Sequence, residues 1–139
     1  MTRKVKTKEV EKHFYINYLK KAFENCDSAG NALKEKAFNA AAVSAVHSAI
    51  SSADTLCVYG LGKRCASEDH KDVISLIMDS SHAKKENSEI VKLFDTIIKM
   101  KNMAEYEERL IKPGEAEKAV SIATDLLNLV ILQLPKQQQ

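Results

Sequence analysis

The sequence predicts an all-α fold, an up-and-down bundle of about five helices. Three observations support this prediction. The apolar residues recur at intervals of three and four, which is the period of an amphipathic helix. The chain contains four Gly, two Pro and no Trp, and 45% of its residues are hydrophobic. Because 139 residues suit one core, we expect a single domain over residues 1–139, with flexible tails at 1–8 and 135–139.

The first two helices are predicted over residues 8–26 and 32–56. The apolar stripe of the first helix consists of residues spaced by four, namely Val10, Phe14, Tyr18, Ala22 and Cys26. This helix is expected to end between residues 28 and 30, where Ser and Gly occur. The second helix is rich in Ala and Ser, whose small side chains let neighbouring helices approach closely. We therefore expect it to be the central helix.

The second half of the sequence predicts three more helices. Residues 58–65 hold Gly60 and Gly62 and are expected to break the helical period, after which Ser67 would cap the third helix. Residues 79–88 interrupt the pattern before a fourth helix, and the last helix is predicted over residues 115–134. Its stretch LLNLVILQL is apolar on nearly every side. This pattern predicts burial against both the chain's own core and a second subunit, and hence a homodimer.

Charge and cysteine usage narrow the functional classes. The net charge of +2 and the pI near 8.4 are too mild to predict nucleic-acid binding on their own. Four basic residues lie within residues 3–8, where they would follow a phosphate backbone or remain in solvent. Three widely spaced Cys and four His show no metal-ligand spacing, so we expect no metal and no cofactor, and a cytoplasmic location. No apolar run reaches membrane-spanning length, so no membrane association is expected.

The segment LGKRCASEDH, residues 61–70, places Arg64 six positions before His70. RNA cleavage without a metal requires a base for the 2′-hydroxyl proton, a cation for the phosphoryl oxygens and a proton donor for the leaving oxygen. His titrates near neutrality, and the Arg guanidinium binds phosphate through two hydrogen bonds. At a helix N-terminus the dipole would lower the pKa of His70, whereas Glu68 and Asp69 would raise it. Two such loops meeting across a dimer axis would supply both acid and base.

His47 and Asp54 are accessory candidates, because they share one face of the predicted second helix at helical spacing. A simpler interpretation remains open for each group. Arg64 would then form a surface ion pair with Glu68 and Asp69, worth at most about 1 kcal/mol. His47 would be a core side chain satisfied by a neighbour on its own helix.

Taken in order, these features resemble the HEPN domain family, helical proteins that often act as RNases in toxin systems or pair with small nucleotidyltransferases. The resemblance spans residues 14–134 and rests on the Ala-rich helix, an Arg-x5-His spacing within the family's Arg-x4-6-His pattern, and the stretch AEYE…EAEKAVSIA at 104–123. It implies a metal-independent endoribonuclease that acts as a homodimer through Arg64 and His70, with an antitoxin or nucleotidyltransferase as possible partner. Ribonuclease members often carry a polar residue directly after the Arg, where this chain has Cys65. The alternative is therefore a non-catalytic dimeric module that binds RNA, a nucleotide or a partner protein.

Overall fold

A computed structural model describes residues 5–80 and 84–136, and five α-helices lie within these ranges. The helices are α1 (Tyr15–Lys34), α2 (Phe38–Leu61), α3 (His70–Asp79), α4 (Lys84–Glu105) and α5 (Pro113–Ile131). A 3-10 turn at Lys12–Phe14 precedes α1, and strand β1 (Thr7–Glu9) pairs antiparallel with strand β2 (Lys63–Cys65). The predicted all-α bundle is confirmed, with a two-stranded ribbon as an addition that the sequence did not predict.

Helix α2 lies at the centre of the bundle and contacts each of the other four helices. Its buried alanines Ala41, Ala45, Ala49 and Ala53 recur at intervals of four and form a stripe along the helix. Because these side chains are small, neighbouring helices approach the α2 backbone closely. Larger side chains from other helices, such as Phe94, fill the remaining space. The interpretation of this helix as the central one agrees with the structure.

The length and composition of α2 are those of a membrane-spanning segment, contrary to our expectation that no apolar run is long enough. Within the bundle, however, 67% of its most apolar window is buried by the rest of the chain. A helix that other helices surround on several sides must be apolar all round. The apolar composition of α2 is therefore that of a core helix.

The ends of α1 differ from the predicted ends of the first helix. The helix starts at Tyr15 instead of residue 8, because Thr7 and Lys8, which we expected in a flexible tail, pair with β2. It also continues through Gly30 to Lys34, since one glycine lowers helix stability without ending a helix. The chain reverses at Lys36, whose φ is 62°, and α2 therefore begins later than predicted.

The two glycines that were expected to break the helical period have different roles. Gly60 lies inside α2, where a Cβ atom would be 2.0 Å from the carbonyl oxygen of Ser80. Gly62 adopts a φ of 67° just after α2 and donates its N–H to the carbonyl of Val58. The helix therefore continues to Leu61. The predicted break is wrong for residues 58–61, which are helical, and the helix ends only at Gly62.

The remaining helix ends also correct the prediction in detail. Asp69, rather than Ser67, is the N-cap of α3, while the Ser67 hydroxyl accepts the N–H of Asp69 at 3.0 Å. Helix α4 begins at Lys84, inside the stretch that was expected to interrupt the pattern. Helix α5 begins at Pro113, whose fixed φ suits a first helical turn. Residues 1–4, 81–83 and 137–139 lie outside the described residues.

The apolar end of α5 is explained largely by the core of this chain. Leu126, Leu127 and Val130 are at most 3% exposed. Leu132, by contrast, is 80% exposed just beyond the helix. The apolar content of LLNLVILQL therefore gives weaker support to a second subunit than we expected from the sequence.

Candidate functional site

Arg64 lies in the middle of β2, directly opposite Lys8 of β1. Its Nη1 donates to the carbonyl oxygen of Cys65 at 3.2 Å. Its positive charge, together with that of Lys21 on α1, acts on the carboxyl group of Asp54 on α2. The structure thus places Arg64 close enough to Asp54, one of the accessory residues that the sequence predicted, for its charge to act on that carboxyl group.

Asp54 is a half-buried carboxyl group on the central helix. Its burial raises the pKa to about 6, although the charges of Arg64 and Lys21 act in the opposite direction. A carboxyl group with this pKa is partly protonated near neutral pH, and it can therefore donate or accept a proton. Lys21 has no helical spacing relative to Arg64 or Asp54, so the sequence offered no signal for it.

His70 is the first residue of α3, and the N-cap Asp69 fixes the direction of the chain there. The Asp69 Oδ1 accepts the N–H of Lys71 at 2.9 Å. The His70 ring meets the Phe94 ring of α4 edge-on, with 6.3 Å between the ring centroids. Burial and the charge of Lys101 lower the pKa of His70, and Asp69 opposes them. The imidazole is therefore mainly neutral at pH 7 and can accept a proton.

This result adds to the explanation that we gave for the pKa of His70. We expected the helix dipole to lower this pKa and Glu68 and Asp69 to raise it. Burial and Lys101 are further causes that lower this pKa, and Asp69 does raise it. Lys101 lies on α4, thirty-one positions along the chain, and no sequence pattern connects it with His70. Glu68 is exposed, and it lines the cavity that lies beside His70.

The cavity beside His70 has a volume of about 280 Å³. Its walls combine apolar and acidic side chains and are formed by Glu68, Asp69, His70, Lys71, Ile74, Phe94, Asp95 and Ile98. Arg64 is not part of this wall. Within residues 5–80 and 84–136, no hydrogen bond or ion pair joins Arg64 to His70. One copy of the chain therefore gives these two residues different surroundings.

His47 lies on the exposed side of α2 and does not belong to the core. Its Nε2 is 3.5 Å from Oε1 of Glu105 on α4, and 52% of its side chain is exposed. The interpretation of His47 as a buried, locally satisfied side chain is wrong, because α4 meets α2 at this point without covering the ring. The structure gives no contact between His47 and Asp54.

Cys65, the residue directly after Arg64, is 7% exposed. Burial raises the pKa of its thiol, and the Sγ donates weakly to the carbonyl of Ser67 at 3.7 Å. Such a thiol is a packing group and a poor nucleophile. Among the described residues, no group of three or more His, Cys, Asp or Glu side chains is arranged to hold a metal ion.

Comparison with known protein families matches the HEPN domain over residues 15–134. No curated protein and no solved structure matches the chain. The matched range begins at the first residue of α1 and ends after α5, so it includes all five helices and both Arg64 and His70. The chain therefore belongs to the HEPN domain family, a family of RNA-related, nuclease or nucleotide-binding modules.

Proposed function

We propose that this chain is a metal-independent endoribonuclease of the HEPN type that acts as a homodimer. The observation that carries the proposal is His70, a half-buried imidazole with a lowered pKa at the capped start of a helix, next to an open cavity. Cleavage of RNA needs such a neutral base to take the 2′-hydroxyl proton. Lys101, whose charge acts on the same ring, would attract the phosphate to this side of the helix.

The remaining roles in the reaction fall to Arg64 and Asp54. The 2′-oxygen, once His70 has removed its proton, attacks the neighbouring phosphorus atom, and the bond to the 5′-oxygen breaks. Arg64 would stabilise the charge on the phosphoryl oxygens through its planar guanidinium group. Asp54, whose pKa is about 6, would return a proton to the leaving 5′-oxygen. The products are a 2′,3′-cyclic phosphate and a free 5′-hydroxyl group.

A dimer is part of the proposal because of where these groups lie. In one chain Arg64 is beside Asp54, whereas His70 faces Phe94 and Lys101. A two-fold axis that brings the loops of two copies together would place Arg64 and Asp54 of one copy near His70 of the other. Each dimer would then hold two equivalent composite sites.

The proposal is tested by incubating the purified chain with a mixed RNA pool in the presence of EDTA. RNA should be cut and DNA of the same sequence should not, because the 2′-hydroxyl is the nucleophile. Arg64→Ala and His70→Ala should each reduce cleavage about a hundredfold or more, while changing stability by no more than about 1 kcal/mol. Equal cutting by the wild type and both variants would reveal a contaminating nuclease, and a wild type that cuts no RNA would contradict the proposal.

The pH profile of cleavage adds a second readout of the role of His70. The rate should follow a bell-shaped pH profile, because His70 must be neutral and Asp54, whose pKa is about 6, must be protonated. The midpoint of the rising limb should lie below 6.5, the ordinary pKa of His. Lys101→Ala should move this midpoint to higher pH, since it removes a cation that disfavours the imidazolium. Lys92→Ala, a matched change elsewhere on α4, should leave the midpoint unchanged.

The second candidate function is a non-catalytic dimeric module that binds RNA, a nucleotide or a partner protein such as a nucleotidyltransferase. The observation in its favour is that Arg64 donates to the backbone carbonyl of Cys65, and its charge acts on Asp54 instead of His70. If this candidate function is correct, the wild type would bind RNA but would leave it uncut in the assay above. A toxin held in check by an antitoxin in the cytoplasm, by contrast, would arrest growth of its host only while His70 is intact.

A further inference from the structure

A second cleft lies between β1 and the first turns of α1, and the catalytic proposal does not use it. Its volume is about 410 Å³. Its lining combines aromatic, cationic and acidic side chains and consists of Lys8, Glu9, Val10, Glu11, Phe14, Asn17, Tyr18 and Lys21. His70 and the residues around it do not contribute to this lining. The cleft is therefore a separate surface feature at the ribbon end of the bundle.

The aromatic residues of the cleft are open to contact from solvent. Phe14 is 42% exposed, and its ring contacts the ring of His13, with 4.2 Å between the ring centroids. Tyr18 lies one helical turn further on, and the Lys21 Nζ is 5.4 Å from the centre of its ring. Exposed aromatic rings next to a cation are the usual platform for nucleobases in single-stranded nucleic-acid sites.

Two cations line this cleft, Lys8 and Lys21, and a third, Arg64, lies across the ribbon from Lys8. Lys8 and Arg64 are directly opposite each other in the ribbon, so their side chains emerge from the same face of the sheet. Lys21 reaches the same region from α1, since it and Arg64 both act on the carboxyl group of Asp54. Phosphate groups bind where several such cations converge.

The acidic residues of the cleft have cationic or polar neighbours of their own. Glu9 is opposite Lys63 in the ribbon, and Glu11 Oε2 is 3.4 Å from His13 Nδ1. A site with this mixture does not favour a bare anion, because its carboxylates repel one. It favours a ligand that offers a flat ring, a phosphate group and amino groups that donate hydrogen bonds to the carboxylates.

We propose that this cleft holds a nucleotide of single-stranded RNA, with its base against Phe14 and Tyr18 and its phosphate between Lys8 and Lys21. Arg64 lies across the ribbon from Lys8 of the cleft, and its charge acts on Asp54 of the proposed catalytic site, so the strand would continue from the cleft toward the phosphate that is cut. The inference rests on the proposed action of this chain on RNA, but it does not require that the RNA is cleaved.

The test measures binding of the full chain to a fluorescent 2′-O-methyl single strand, which has no free 2′-hydroxyl and cannot be cut by the proposed reaction. Phe14→Ala and Lys21→Ala should each weaken binding by about fivefold or more. The chain offers close controls for both changes. For Phe14→Ala the control is Phe23, which is 43% exposed on α1 outside the cleft. For Lys21→Ala it is Lys20, the exposed neighbouring lysine on α1. Phe23→Ala and Lys20→Ala should bind as the wild type does.

Other outcomes would overturn the inference. Equal losses of affinity in Lys20→Ala and Lys21→Ala would mean that binding follows overall charge. An unchanged affinity of Phe14→Ala would mean that this ring does not hold the base. A wild type that does not bind the strand would also overturn it. Specific binding without any cleavage of ordinary RNA would support this cleft and contradict the ribonuclease proposal. RNA cleavage at the wild-type rate by all four variants would support the ribonuclease proposal and contradict this cleft.

Discussion

At the residue scale, burial acts on two candidate groups in opposite directions. It raises the pKa of the Asp54 carboxyl group and lowers the pKa of the His70 imidazole, because in each case it disfavours the charged form. The sequence identified both residues from their spacing and chemistry. It could not identify Lys21 or Lys101, since these cations come from helices whose packing no local pattern describes.

We predict that Asp54→Asn stabilises the chain at neutral pH. The pKa of Asp54 is about 6 in the folded chain and 3.8 without perturbation, so the folded state holds the proton more tightly. The free energy of unfolding therefore decreases as the pH rises from about 4 to about 6, and the ionised carboxylate remains unfavourable above that range. Removing it should add on the order of 1 kcal/mol at pH 7 and little below about pH 4.

Denaturant unfolding of both proteins at the two pH values checks this prediction. Asp125→Asn, which changes an exposed carboxylate on α5, serves as the control and should leave the stability nearly unchanged at both pH values. A loss of stability in Asp54→Asn at pH 7 would contradict the account. It would mean that the attraction of the carboxylate to Arg64 and Lys21 outweighs the cost of its burial.

At the element scale, the sequence located the helices better than their ends. The period of three and four residues identified each helix, but glycines were interpreted as stops, and Gly30 and Gly60 both lie inside helices. The two strands were missed because each has three residues, too few for an alternating pattern to be recognised. They also pair across fifty-odd positions of the chain, which local reasoning does not reach.

We predict opposite effects for the same substitution at these two glycines. A Cβ on Gly60 would lie 2.0 Å from the backbone oxygen of Ser80, so Gly60→Ala should separate the ends of α2 and α3 and cost about 1–3 kcal/mol. Nothing lies within 4 Å of the corresponding position at Gly30. Gly30→Ala should therefore stabilise α1, by about 0.5–1 kcal/mol. Thermal melts measure both, and a Gly60→Ala protein as stable as the wild type would refute the close approach of the two helices.

At the scale of the whole molecule, composition and period were sufficient for the fold class, and the order of motifs was sufficient for the family. The site was predicted less completely. Arg64 and His70 were chosen for a spacing of six residues, yet the ribbon directs one toward α1 and α2 while α3 carries the other to α4. Which side chains meet depends on packing between elements, and here also on how two copies would associate.

In the proposed site Arg64 of one copy acts together with His70 of another, and a mixture of two inactive variants shows whether the two copies share a site. Arg64→Ala and His70→Ala dimers would be dissociated, mixed in equal amounts and reassociated, and RNA cleavage measured in EDTA against the wild type. Half of the resulting dimers would be mixed, and each mixed dimer would hold one intact site of two, so the account predicts recovery of about a quarter of wild-type activity. If the mixture is as inactive as the separate variants, although mass measurements show mixed dimers, the shared site is contradicted.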